Sequence, residues 1–328
     1  MKLAILCSAH GFGHLGRQLA LLPHLQLRAS VEVFTTVPEV VVHNWAPSAR
    51  VVPWSMDVGL RQLDSTHEDP AGTLPLLEER CSEEQIDQLA ARLRGVEACL
   101  VDVAPAGLEA ARRAGCRTLA VGNFDWAWIY AHYPVLADWA QRFSGWQAGH
   151  RGLSLWPGPG LHGFAATQQA GLLARRAERA WRGPAGKKTV LVCFGGFGLA
   201  KLEQVLPLIP GVVYVLAPPM PRLDRPDCIF VDDVPFPELL LGADVVFTKA
   251  GYGILGECLR AGVPMVFQHR AGFPEAPSLE AVMRARGDVE LQGSMQAALE
   301  KIWSRPRPEP LDAPTERIAE QVRNMLDF

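Results

Sequence analysis

Two short stretches of this chain carry residues whose types and spacing could do chemistry. The first is Ala9-His10-Gly11-Phe12-Gly13-His14-Leu15-Gly16-Arg17, which follows an apolar strand-like run and precedes a helical pattern. Glycines at such a turn let the backbone approach a ligand closely, and the opening amides of the next helix can meet an anion or a hydroxyl. Histidine is the side chain suited to taking a proton near neutral pH, so His14, and with it His10, is a candidate for acting on a substrate hydroxyl. The plainer reading is that these histidines cap the helix or bond a carbonyl. Read literally, Gly11-x-Gly13-x-x-Gly16 is also the dinucleotide fingerprint. That reading requires an acidic residue at the end of the second strand, where Val31-Glu32-Val33-Phe34-Thr35-Thr36 offers threonines instead.

The second stretch is Lys249-Ala250-Gly251-Tyr252-Gly253 and the helical pattern that follows it through Glu257 to Gly262. A strand ends at Thr248, a lysine stands at its tip, and glycines allow the turn into a short helix. Helix N-terminal amides with one lysine make a phosphate site. Glu257, one to two turns further on, lies where a carboxylate could accept from sugar hydroxyls; alternatively it is a solvated helix residue and Lys249 a surface charge. Cys193-Phe194-Gly195-Gly196-Phe197-Gly198 is a further strand, glycine turn and helix start, and such a turn can cradle a phosphate or simply join two elements. Near the fourth strand, the aromatic run Phe124-Asp125-Trp126-Ala127-Trp128-Ile129-Tyr130 can stack on sugar rings or pack a helix on the sheet. Asp125 could orient His14 or accept from a substrate hydroxyl, and Asp102, ending the third strand, is a second candidate for orienting His14.

These residues need a frame. Short β-branched runs alternate with helical segments, the pattern of βα units on a parallel sheet. In the first half the strand candidates are Leu3–Cys7, Val31–Thr35, Ala98–Val103 and Thr118–Val121; in the second they are Thr189–Phe194, Val212–Leu216, Ile229–Val231, Val245–Thr248 and Pro264–Phe267. Between them, Pro157-Gly158-Pro159-Gly160 and a weakly periodic Arg-rich stretch read as a connection, and Ala313–Phe328 reads as a terminal helix. The fold class is α/β, with two similar halves.

Composition narrows the function classes. At 328 residues the chain exceeds what one core ordinarily holds, and 48% hydrophobic with 20% charged residues is a globular balance. A formal charge of -3 without a basic run gives no case for binding nucleic acid. Met1–Cys7 is too short an apolar run for a signal peptide or a transmembrane segment, so a cytoplasmic protein is expected. Seven cysteines without a Cys-x-x-Cys pair fit neither a disulfide framework nor a zinc site, and there is no Asp-x-Asp motif to hold a metal.

The Lys249-Ala-Gly-Tyr-Gly segment with Glu257 and Gly262-Val-Pro264 resembles the donor-binding segment of GT-B nucleotide-sugar glycosyltransferases, the superfamily of the peptidoglycan N-acetylglucosaminyl transferase and the UDP-glucuronosyl transferases. The resemblance implies two Rossmann-like domains facing a central cleft, with no cofactor or metal required. It puts the donor ribose on Glu257, the diphosphate against Gly195, Gly196, Lys249, Gly251, Tyr252 and Gly253, and the base against Val231 and Val234. His14 matches the position of that superfamily's base. His10-Gly-Phe-Gly-His14-x-x-Arg17, Asn123-Phe124-Asp125-Trp126, and Arg270 with Phe273 and Glu275 resemble more closely the glycosyltransferase-like N-terminal region of L-arabinokinases. This adds Arg270 and Glu275 on the donor side and His10, Phe12, Arg17 and Trp126 on the acceptor side. Phe273-Pro274-Glu275 replaces the usual Asp-Gln sugar contact, which leaves the donor sugar open.

The implied organisation is an acceptor domain over 1–165, a linker over 166–188, a nucleotide-sugar domain over 189–312 and a terminal helix over 313–328. The implied reaction is an inverting transfer from a nucleotide-diphosphate donor, expected to be a UDP-sugar, to an acceptor hydroxyl deprotonated by His14. A nucleotide-sugar 2-epimerase, a non-catalytic nucleotide-sugar sensor and an NAD oxidoreductase are the competing classes.

Overall fold

The structure is a computed structural model that describes residues 1–8, 12–43, 46–64, 67–195 and 202–328, with the backbone alone at Phe12. Seven strands form the first sheet: β1 (Lys2–Cys7), β2 (Ser30–Thr35), β3 (Arg50–Pro53), β4 (Ala98–Asp102), β5 (Arg117–Gly122), β6 (Arg151–Trp156) and β7 (Ala166–Leu172). Their order is β3-β2-β1-β4-β5-β6-β7, all neighbours parallel. Six strands form the second: β8 (Lys188–Cys193), β9 (Val212–Leu216), β10 (Cys228–Phe230), β11 (Val245–Lys249), β12 (Met265–Gln268) and β13 (Val289–Glu290), in the order β10-β9-β8-β11-β12-β13 and again parallel. Central strands such as β4 and β9 are buried along their whole length, because helices cover both faces of a parallel sheet.

In both sheets the connection order reverses beside the first strand. β1 lies between β2 and β4, and β8 lies between β9 and β11. Such a reversal leaves a crevice at the carboxyl ends of the two strands, which is where ligands of open α/β sheets bind. Cys7 pairs in register with Asp102, and Cys193 with Thr248. The two sequence stretches that drew attention therefore begin at the two switch points.

The chain divides into two compact units. Met1–Arg61, Asp69–Leu173 and Pro314–Phe328 make the first; Gln62–Glu68 and Ala174–Ala313 make the second. The terminal helix Thr315–Met325 belongs to the first unit, where Ile318, Val322 and Met325 join the core that holds Leu15, Leu19 and Leu22. Residues 166–172, expected within the linker, form β7. Its sequence Ala-Thr-Gln-Gln-Ala-Gly-Leu lacks a strand's apolar alternation because it is a largely exposed edge. Among the described residues no helix is long and apolar enough to cross a membrane.

Candidate functional site

The first-unit site is built on one helix face. In the helix Phe12–Leu25, His14, Arg17 and Gln18 stand at positions i, i+3 and i+4, so their side chains point the same way. That face meets Asp102 at the end of β4, a carboxylate with no solvent exposure. Asp102 Oδ1 lies 2.9 Å from His14 Nδ1 and accepts from Arg17 Nη2 at 2.6 Å, while Oδ2 accepts from Gln18 Nε2 at 2.7 Å and from Arg17 Nε at 3.4 Å. Burial alone would raise the Asp102 carboxyl, but Arg17 and His14 outweigh it and hold the group below the ordinary carboxylate range. Arg17 Nη2 also lies 2.9 Å from His14 Nδ1. With the proton on Nδ1, the ring donates to the anionic Asp102 and Nε2 is the acceptor atom. In that tautomer the nitrogen that can take a proton is the one turned away from Asp102.

Asn123, just past β5, fixes the other end of Arg17: its Oδ1 accepts from Nη1 at 2.7 Å, and its own amide donates to the Leu155 and Pro157 carbonyls. Arg17, expected on the acceptor side, is 4% exposed and its guanidinium is committed to Asp102 and Asn123. Asp125, expected to orient His14 or meet an acceptor, is the N-cap of the helix Trp126–Tyr130 and is fully buried. It accepts from the Trp128 amide at 2.8 Å and the His162 amide at 2.7 Å. Cap formation accounts for it, and the orienting contact to His14 is made by Asp102. The Trp126 ring stacks against His14 with centroids 6.3 Å apart, and Phe124 meets His14 edge-on at 5.8 Å. His10, Gly196 and the side chain of Phe12 lie outside the described residues.

The second-unit site starts at Gly195, which follows β8 with φ of 69°, a left-handed conformation suited to glycine. Lys249, at the tip of β11, is pushed down to about 7 by burial and then by the neighbouring Arg270 charge. Its ammonium reaches Gln62 Oε1 at 3.5 Å. Gly251 is the N-cap of the helix Tyr252–Ala261 and, as a glycine, supplies no side-chain cap of its own. Gly262 ends that helix in the left-handed conformation, as its sequence predicts. Glu257 is 6% exposed, not solvated, and its Oε1 accepts from Arg175 Nε at 2.5 Å. Arg270 is buried beneath this turn: Nη1 donates to the Ala250 carbonyl at 3.2 Å and approaches Glu275 at 3.5 Å, and the guanidinium lies over the Phe273 ring. Val231 donates its amide to Leu216, which leaves its carbonyl as the group it can offer a base, and Val234 is half-buried. Among the described residues no group of three His, Cys, Asp or Glu side chains is placed to hold a metal ion.

Gln18 and Arg175 carry weight in these sites that the sequence did not show. Gln18 was reachable through its i+4 spacing from His14; Arg175 lies in the Arg-rich connection with nothing to distinguish it.

Several solved structures with the same architecture are described as glycosyltransferases. The glycotransferase of kitacinnamycin aligns over 99% of this chain and 94% of its own, with a TM-score of 0.66 at 21% identity. SnogD from Streptomyces nogalater aligns over 99% of both chains with a TM-score of 0.64 at 14% identity. A UDP-glucosyltransferase from Polygonum tinctorium aligns over 99% and 93% with a TM-score of 0.60 at 14% identity. The fold is GT-B. By sequence, L-arabinokinase of Arabidopsis thaliana is a distant homologue, 28% identical over an alignment 302 residues long that covers 84% of this chain. The match spans 29% of the arabinokinase's length. No protein-family model matches the chain.

Proposed function

We propose that the protein is a glycosyltransferase that moves a sugar from a nucleotide-diphosphate donor to an acceptor hydroxyl with inversion. The acceptor hydroxyl gives its proton to His14 Nε2 and attacks the anomeric carbon, and the nucleoside diphosphate leaves as the bond to its oxygen breaks. Asp102 steadies the imidazolium and keeps its tautomer, as the 2.9 Å contact to Nδ1 allows. That contact is the observation that carries the reading, since it gives a histidine in the first turn of its helix the orienting partner that a base requires. On the donor side, Lys249, Gly195, Gly196 and the Gly251, Tyr252 and Gly253 amides receive the developing diphosphate charge. Glu257 holds the ribose, Val231 and Val234 face the base, and Arg270 with Glu275 shapes the donor turn. Trp126, with Phe12 and His10, is assigned to binding the acceptor. A uridine donor is favoured by the Polygonum tinctorium relative, which is a UDP-glucosyltransferase.

The test is transfer from a panel of nucleotide sugars to hydroxyl acceptors, with the anomeric configuration of the product read by NMR. Inverted product from the wild type and its loss in His14→Ala are expected. Epimerised donor formed without acceptor, or nucleotide-sugar binding with no turnover, would replace this reading with an epimerase or a sensor.

A further inference from the structure

Asp57 follows β3 in a segment without any recognisable motif and is 6% exposed. Its Oδ1 accepts from the Ser8 hydroxyl at 2.7 Å, and Ser8 is the residue immediately after β1. Its Oδ2 is buried and has no hydrogen-bond partner among the described residues. An ionised carboxylate in that position is costly unless a nearby positive charge repays it.

The groups whose charges bear on Asp57 come from several elements. They are His14, on the helix Phe12–Leu25, Asp102, on β4, and Arg80, at the end of the helix Pro70–Arg80. Cys7, the residue before Ser8, pairs in register with Asp102, whose carboxylate lies 2.9 Å from His14, so the Ser8–Asp57 pair is carried beside that contact. Asp57 in turn pushes up the Tyr130 phenol and the Cys81 thiol, each already raised by burial. Arg80 approaches the backbone carbonyl of Asp57, at 3.5 Å. Burial raises the Asp57 carboxyl to about 6, with the Ser8 hydrogen bond and the His14 charge opposing the rise and Asp102 adding to it.

Charge balance gives this carboxyl a use. Asp102 is met by the Arg17 guanidinium through Nη2 and Nε, so the pair has no net charge. An imidazolium formed at His14 would find hydrogen-bonding there but little net counter-charge. We propose that Asp57, held by Ser8, is a positioning residue that acts through His14 as the second counter-charge of the site, supplying the net negative charge that favours the imidazolium. The proposal rests on the reading of His14 as the base, but its first test does not require turnover.

That test follows the Asp57 carboxyl carbon by NMR against pH in the unliganded 328-residue protein. A midpoint near 6 is expected in the wild type, moving upward in His14→Gln and in Ser8→Ala as each loses an interaction that favours the anion. A midpoint identical in wild type and His14→Gln would overturn the proposal, whatever transfer assays show. With an active donor and acceptor pair, Asp57→Asn is expected to lower kcat about tenfold with donor KM unchanged, to lose the rise in kcat near pH 6, and to be rescued by Asp57→Glu. An Asp57→Asn profile superimposable on the wild type would also overturn it. If no transfer occurs with any donor while the midpoint still moves in His14→Gln, the transferase reading fails and the electrostatic link between the residues stands.

Discussion

The Arg175 guanidinium lies 2.5 Å from Glu257, Nε to Oε1, with both side chains largely buried. The carboxylate assigned to the donor ribose is thus pre-oriented by a cation, and one of its oxygens is already occupied. Ribose hydroxyls would be received by Oε2. Glu257→Ala should weaken nucleoside diphosphate binding by about 1.5–3 kcal/mol, the scale of hydrogen bonds to a charged group. Arg175→Ala should weaken it less, since the carboxylate remains but loses its orientation. Isothermal titration with UDP compares the two.

Lys249 predicts a proton-linked donor affinity. Its pKa in the free protein is pushed down to about 7, and a bound diphosphate would favour the charged ammonium. Binding above that pH should therefore take up a proton, and affinity should fall as pH rises from about 7 toward the ordinary lysine range near 10.4. Titrations in buffers of different ionisation enthalpy would give the proton count, and Lys249→Met should abolish the uptake.

Asp102 is expected to matter for folding as well as for His14. Removing the carboxylate in Asp102→Ala strands the Arg17 guanidinium, which is 4% exposed. Leaving one partner of a buried pair uncompensated costs about 3–5 kcal/mol. Chemical denaturation should show that loss, whereas His14→Ala should abolish transfer with a much smaller change in stability.

Asp57 makes the opposite stability prediction. Its carboxyl is raised from 3.8 to about 6 in the folded chain, so between those values the native state holds a proton that the unfolded state has released. Stability therefore falls as pH rises through this window, by about 3 kcal/mol from this group when the whole displacement is counted. Asp57→Asn should flatten that slope and raise the melting temperature at pH 7.5, a gain in stability alongside the expected loss in rate. Thermal unfolding from pH 4 to 8 would show it.

The sequence made the central strands legible because burial on both faces writes them as continuous apolar runs, as in Leu3–Cys7 and Val245–Thr248. The peripheral strands escaped for the converse reason. Arg151–Trp156 contains Gly152 and Ser154, Arg50–Pro53 has four residues, and Val289–Glu290 has two. Glycine turns and a terminal lysine marked both candidate sites, since backbone requirements at a turn leave a signature in residue type. The partners of those residues left none. Asp102 and Asp125 are both carboxylates at or just past the ends of apolar strands, and only the three-dimensional path decides that one meets His14 while the other caps a helix. Asp57 is invisible in the same way, because nothing in Met56-Asp57-Val58 marks a buried acid.

The helix Thr315–Met325 completes the core of the first unit although it follows the whole of the second in the chain. During synthesis, the leucines of the helix Phe12–Leu25 must wait without this cover while residues 174–313 emerge and can fold. The unit bearing His14 is therefore started before the second unit and closed after it, and its maturation depends on reaching a segment roughly 300 residues downstream of the histidine it supports.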